Sequence, residues 1–258
     1  MSSDPGKAFR LDGKAALITG GTRGIGRAIA EAYVAAGAAV CVMARKPDEL
    51  AETTEALTAL GGTVSTFAGS AGDPDAIEAC VAQCAGELGG VDVLVNNAGT
   101  NPTFEPLVDI ELRAVRKVLE VNLEGPLLLA QASWRIWMQE HGGVIINVAS
   151  VGGIRPSIGL GMYNTSKAGL IHMTRQLAME LGPAVRVNCI APGLVKTFFA
   201  RALYEHGEEA IAARMPMKRL GVPDDLAGAA LFLASDASAW MTGEILVVDG
   251  GMSVSGAG

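Results

Sequence analysis

Short apolar runs recur along the chain at residues 15–19, 40–43, 64–67, 91–95, 144–148, 185–190 and 245–248, with stretches of helical spacing between them. Strands buried on both faces read as near-continuous apolar runs, and parallel neighbours need a helical crossover between them. The first helix is read from Ile25, Ile29, Ala32, Tyr33 and Ala36, stopped by Gly37. Pro47 opens a second that runs to about residue 60, with Gly61 and Gly62 as its stop. Asp73 and Pro74 supply the N-cap and first position of a third. Further helices are predicted over about 109–140, with a break near Gly125-Pro126, over 162–181 and over 224–234. The expected fold class is α/β: one doubly wound parallel sheet of about seven strands with helices on both faces. No repeat, low-complexity tract or linker interrupts the pattern, so residues 1–258 are expected to form one domain with residues 1–10 as an N-terminal extension.

Charge and composition exclude several classes. The net charge is −7 with no run of Lys or Arg, which argues against nucleic acid or an acidic membrane as partner. Half the residues are apolar, yet no run approaches the ~18 residues of a membrane span. The first fourteen residues lack the apolar core of a signal peptide, and a cytoplasmic location is expected. Cys41, Cys80, Cys84 and Cys189 lack CxxC spacing and read as reduced structural thiols. His141, His172 and His206 have no neighbouring ligands at metal-binding spacing, so no metal is expected.

Between the first strand and first helix lies Thr19-Gly20-Gly21-Thr22-Arg23-Gly24-Ile25-Gly26. A glycine turn there lets the backbone approach a pyrophosphate, and the helix N-terminus offers free N–H groups and a positive dipole end. Taken alone, such glycines also serve tight turns and close helix–strand packing.

The pattern Thr-Gly-x-x-x-Gly-x-Gly resembles the cofactor turn of the short-chain dehydrogenase/reductase family. Further matches stand in that family's order: Asn96-Asn97-Ala98-Gly99 after the fourth strand, Asn122 in the long helical region, and Ser150 after the fifth strand. Tyr163-x-x-x-Lys167 opens the next helix, and Pro192-Gly193 follows the sixth strand. The resemblance spans roughly residues 12–251 and implies a single Rossmann-type oxidoreductase domain. It implies Asn122, Ser150, Tyr163 and Lys167 as the catalytic set. It also implies cofactor contacts from Gly20, Thr22, Arg23, Gly24, Ile25, Gly26, Ser70, Ala71, Asn97, Ala98, Gly99, Tyr163, Lys167, Pro192, Gly193, Val195 and Thr197. The family often has an Asp where this chain has Ser70, which weakens the expected adenine contact.

Residue chemistry agrees with those roles. Tyr163 and Lys167 share a helix face at i,i+4, and a nearby ammonium stabilises a phenolate. Ser150, at a strand's carboxyl end, can donate to a carbonyl oxygen while Tyr163 gives or takes the proton. By resemblance, Lys167 also holds the nicotinamide ribose and Asn122 supports a water.

An acid at the end of strand two would grip the ribose hydroxyls of NAD. Ala44 stands there, followed by Arg45 and Lys46, with no carboxylate before Asp48. Arg45, helped by Arg23, can pair with a 2′-phosphate, so NADP(H) is favoured over NAD(H). The alternative for Arg45 is a solvated loop charge.

Residues 194–217 read as a substrate lid, with Phe198, Phe199, Leu203, Tyr204, Met215 and Met217 on it and Ile154, Ile158 and Leu160 opposite. They imply an apolar ketone or 3-oxoacyl compound, with core or subunit contact as the alternative for such residues. Residues 134–141 hold one arginine and one acid, too little charge to dock an acidic carrier protein, so a free or thioester-linked small carbonyl is favoured. Trp134, Trp137 and Met138, if they face outward, would join a homotetramer contact. The remaining readings are an NAD-dependent alcohol, sugar or steroid dehydrogenase and a dinucleotide sensor without turnover.

Overall fold

The structure, a computed structural model, describes residues 6–255; residues 1–5 of the expected N-terminal extension lie outside the described residues. Seven strands form one parallel sheet in the order β3-β2-β1-β4-β5-β6-β7. They are β1 (Ala15–Thr19), β2 (Ala39–Ala44), β3 (Val64–Ala68), β4 (Val93–Asn96), β5 (Gly143–Val148), β6 (Val185–Pro192) and β7 (Ile245–Val248). Strand order reverses between β1 and β4, and the crevice at that switch opens at the strands' carboxyl ends.

The helices are α1 (Gly24–Ala35), α2 (Pro47–Ala59), α3 (Pro74–Leu88), α4 (Leu112–Leu119), α5 (Gly125–Ser133), α6 (Gln139–His141), α7 (Gly161–Leu181), α8 (Glu208–Arg214) and α9 (Asp224–Ala234). Strand side chains alternate between two cores. Ile18 and Val42 face Ile29 and Tyr33 of α1, Leu57 of α2 and Leu233 of α9. Leu17, Cys41 and Met43 face Ile77 and Val81 of α3, Leu129 of α5 and Leu177 of α7. All four cysteines are buried and free. The Asp73 carboxylate caps α3 by accepting from the Asp75 and Ala76 amides at 3.1 and 3.4 Å.

The expected break near Gly125-Pro126 is absent: α4, α5 and α6 run on continuously through π turns at Glu120–Glu124 and Trp134–Met138. Proline lacks the N–H of an α-helical bond, and the wide turn before it absorbs the defect. The Gly125 amide bonds back to the Glu120 carbonyl, and Pro126 then falls in the first turn of α5, where a missing N–H costs little. Gly125 is demanded by close approach, since a Cβ there would collide with the Ala71 carbonyl.

The outward apolar patch at Trp134, Trp137 and Met138 is also corrected. Met138 is fully buried, and both tryptophans pack on the core beneath α3. The Trp137 ring lies over Gly90 and stacks on His141 at 3.7 Å. The second π turn carries Met138 into the core and lays both tryptophans, partly buried, against it.

Candidate functional site

The carboxyl ends of β1, β2, β4, β5 and β6 line one cleft of about 850 Å³, within the range of small-molecule and cofactor sites. At its floor, Gly20 and Gly24 adopt φ values of +65° and +56°, accessible to glycine at little cost. Gly26 does not line the cleft; a Cβ there would collide with the Gly20 carbonyl and the Asn97 amide. Arg23 is the N-cap of α1 but makes no side-chain cap, so the helix presents its first amides to the cleft. The glycine turn and the uncapped N-terminus fit a dinucleotide pyrophosphate.

Side-chain amides hold the strand ends together. Thr19 Oγ1 accepts from the amides of Asn97 and Ala98 at 3.1 and 3.0 Å, and Asn97 Nδ2 donates to the carbonyls of Thr19 and Gly20 at 2.9 and 3.1 Å. One layer down, Asn96 donates to Asn147 and Asn147 to Thr174, each at 2.9 Å, tying β4 to β5 and α7. Asn122 is fully buried in the first π turn. Its side chain bonds both backbone groups of Thr100, accepting at 2.8 Å and donating at 2.9 Å, and donates to Ser166 Oγ at 3.0 Å. Asn122 thus locks the loop after β4 to α7, and it does not line the cleft.

Ser150, Tyr163 and Lys167 meet beyond β5 and line the cleft. Ser150 Oγ accepts from the Gly152 amide at 3.0 Å, which orients the hydroxyl. Lys167, only 3% exposed, donates from Nζ to the Val148 carbonyl at 2.8 Å, and Nζ lies 5.8 Å from the Tyr163 ring centroid. Burial pushes the Tyr163 hydroxyl up to about 12, opposed by its hydrogen bond with Ser150. Burial also pulls Lys167 down to about 8. At Tyr163 desolvation sets the direction, and Ser150 supplies the lowering contact.

At the other end, Arg45 follows β2, is exposed, and has no ion-pair or hydrogen-bond partner among the described residues. Arg23 and Lys46 are engaged by a residue that the sequence reading passed over. Glu49, in the first turn of α2, binds Lys46 Nζ at 2.8 Å, Thr22 Oγ1 at 3.0 Å and Arg23 NH1 at 3.5 Å. These contacts, led by Lys46, hold its carboxyl below the usual range. Ser70 and Ala71 line the same end, with Ser70 Oγ accepting from the Gly72 amide at 3.2 Å.

Pro192, Gly193, Val195 and Thr197 follow β6 into the cleft. Phe198, 70% exposed, covers the Arg23 guanidinium at 4.9 Å, and Phe199 tilts against the Tyr163 ring at 5.8 Å. Leu203 and Leu160 also line the wall, as expected, whereas Ile154, Ile158, Tyr204, Met215 and Met217 do not. Met215 packs in the core at 3% exposure. Phe104, Arg155, Met252 and Ser253 are among the further residues on the wall and had no sequence signal. The Arg155 guanidinium donates to the Ser253 carbonyl at 2.5 Å, joining the loop after β5 to the C-terminal segment.

A doubly wound parallel sheet, a glycine turn under an uncapped helix and a serine, tyrosine and lysine at the next strand end define a dinucleotide-dependent oxidoreductase. Comparison narrows the class. Residues 20–253 match a family model described as enoyl-(acyl carrier protein) reductase. A rabbit (Oryctolagus cuniculus) dehydrogenase/reductase SDR family member 4 is 38% identical over 244 residues, covering 93% of this chain and 94% of that protein. Among solved structures, a 7α-hydroxysteroid dehydrogenase complexed with NADH and 7-oxo glycochenodeoxycholic acid superposes with TM-score 0.92 at 34% identity. The match covers 96% of this chain and 97% of that one. A Beutenbergia cavernae structure with NADP bound at low occupancy gives 0.89 at 36%, covering 95% and 98%. The chain belongs to the short-chain dehydrogenase/reductase family, oxidoreductases acting on CH–OH and C=O groups with NAD(P).

Proposed function

We propose that this protein is an NADP(H)-dependent carbonyl reductase that transfers hydride between the nicotinamide and an apolar ketone or 3-oxoacyl compound, reversibly. The observation that carries the reading is the shared cleft: Ser150, Tyr163 and Lys167 face one end, and the unpartnered Arg45 faces the other. When bound, the cofactor supplies or accepts the hydride. Ser150 donates a hydrogen bond to the carbonyl oxygen, and Tyr163 gives that oxygen the proton that completes the alcohol. Lys167 holds the nicotinamide ribose from a lysine fixed by the Val148 carbonyl, and buried Asn122 keeps the Thr100 loop and α7 in register with both.

Cofactor contacts are assigned to Gly20, Thr22, Gly24 and Ile25 at the pyrophosphate and to Ser70 and Ala71 at the adenine. Asn97, Ala98, Gly99, Pro192, Gly193, Val195 and Thr197 are assigned along the nicotinamide half. Gly26 contributes the close helix–strand approach. Residues 194–217 act as the lid of a one-domain enzyme, and Phe104, Phe198, Phe199 and Leu203 favour an apolar substrate body. The assembly is proposed as a homotetramer by family likeness, with exposed Leu112 and Met179 on α4 and α7 available for helix pairing. A cytoplasmic location is proposed from the sequence; among the described residues no helix is long and apolar enough to cross a membrane.

The NAD-dependent reading has one observation in its favour, the Glu49 carboxylate at the adenosine end. The deciding experiment presents purified protein with NADPH and NADH against ketones, diketones, quinones and 3-oxoacyl thioesters. Faster turnover with NADPH on apolar ketones is expected; turnover with NADH alone, or with none of the carbonyls, contradicts the proposal.

A further inference from the structure

Six cations line the cleft, Arg23, Arg45, Lys46, Lys117, Arg155 and Lys167, against a single carboxylate, Glu49, among the described residues. In a chain of net charge −7, that imbalance marks the cleft as a site for anions. The lone acid stands at the adenosine end. An acid in a helix's first turn is favoured by the dipole alone, and Asp48 beside it needs no further account. Glu49 differs in where it reaches. Its carboxylate leaves α2 and bridges to Thr22 and Arg23 of the glycine turn, while also holding Lys46. The Glu49 side chain is 27% exposed while Arg23 and Lys46 are 49% and 64% exposed, so solvent screens these pairs and each cation can change partner at small cost.

Resting on the reading of this cleft as the dinucleotide site, we infer that Glu49 is a specificity-determining residue that restrains the preference for NADP(H), competing with the 2′-phosphate for Arg23 and Lys46 and offering an acceptor to the 2′-hydroxyl of NAD(H). Two like-charged groups cannot share the same cations without mutual repulsion, so a bound 2′-phosphate must displace Glu49 from them or tolerate it nearby. Among the described residues, Arg45 is left as the adenosine-end cation without a side-chain partner, free for the phosphate. The hydroxyl of NAD(H) meets no such conflict, because an ionised carboxylate is purely an acceptor. Glu49 thereby does from α2 what an acid at position 44 would do from β2, and it moderates the preference set by Arg45 without abolishing it.

Glu49→Gln removes the charge and keeps the shape and the acceptor for Thr22. Ligand affinity is measured by calorimetry with adenosine 2′,5′-bisphosphate and 5′-AMP on wild type and variant, alongside kcat/KM for NADPH and NADH. The expected result is a rise of roughly tenfold in the bisphosphate-to-AMP affinity ratio, about 1.4 kcal/mol, with the NADPH-to-NADH ratio moving the same way. An unchanged or lowered ratio overturns the inference, because Glu49 would then be a scaffold that aims Arg23 and Lys46 at the phosphate. If neither nucleotide binds wild type, the reading of the cleft itself falls. If wild type prefers NADH yet the variant shifts toward NADPH, the cofactor assignment falls and the role of Glu49 stands.

Discussion

Arg45→Ala tests how the adenosine end distinguishes its cofactors. Arg23 and Lys46 are already bound to Glu49, and Arg23 also lies under Phe198, so each must exchange one partner for another to meet a phosphate. Among the described residues Arg45 has no such partner to give up. A hydrogen bond to a charged group contributes about 1.5–3 kcal/mol. At about 1.4 kcal/mol per tenfold, its loss should lower the NADPH-to-NADH ratio of kcat/KM by roughly 10- to 150-fold. Arg45 is exposed, which points to the lower part of that range. Ala44→Asp should shift the ratio further, since a carboxylate at the end of β2, next to Arg45, would repel a 2′-phosphate. The assay is steady-state turnover of one good ketone with each cofactor in wild type and both variants at fixed ionic strength. A ratio unchanged in Arg45→Ala would refute the reasoning and leave Arg45 a solvated loop charge.

Two further predictions concern stability. Gly125→Ala would ordinarily favour a helix interior by about 1 kcal/mol, but the added Cβ meets the Ala71 carbonyl, so a net loss of about 1–3 kcal/mol is expected in urea unfolding; a more stable variant would show that the π turn yields freely. Lys167 is lowered from 10.5 to about 8 in the folded chain, so the unfolded chain binds its proton more tightly. Folding therefore carries a penalty of about 3 kcal/mol below pH 8, relieved as pH rises toward 10.5. Lys167→Met should raise the Tm at pH 7 while destroying turnover, with the gain shrinking by pH 10. A Tm that falls at pH 7 would contradict the buried, strained ammonium.

The strands were legible because each is short, apolar and bounded by turn residues, and the helix starts at Pro47 and Asp73-Pro74 were written in local chemistry. The run through Gly125-Pro126 was not, because a proline reads as a break unless the preceding turn is known to widen. For Trp134 and Trp137, three-residue spacing left core and subunit contact both open; the second π turn packs them, partly buried, against the core. Of the site, the catalytic and cofactor residues assigned from ordered motifs could be named from sequence, and of those assigned all but Gly26 and Asn122 reach the cleft wall. Glu49 could not be found by inspecting strand ends, since it belongs to the next helix and returns to the glycine turn through its side chain. Met252 and Ser253 reach the cleft only because the C-terminal segment folds back, with the Asp249 carboxylate accepting from the Gly251 and Ser253 amides at 2.8 and 2.6 Å. Long-range returns of this kind leave no local pattern.

Tyr163→Phe separates delivery of the proton from cofactor binding, because most of the assigned cofactor contacts come from other residues. Its ring keeps the contact with Phe199, and only the hydroxyl is lost. NADP⁺ affinity, measured by calorimetry, should stay within about threefold of wild type, some 0.7 kcal/mol. Carbonyl reduction, followed by NADPH absorbance with a substrate the wild type turns over, should fall by at least about 10²-fold. Near-normal kcat in the variant would contradict the account.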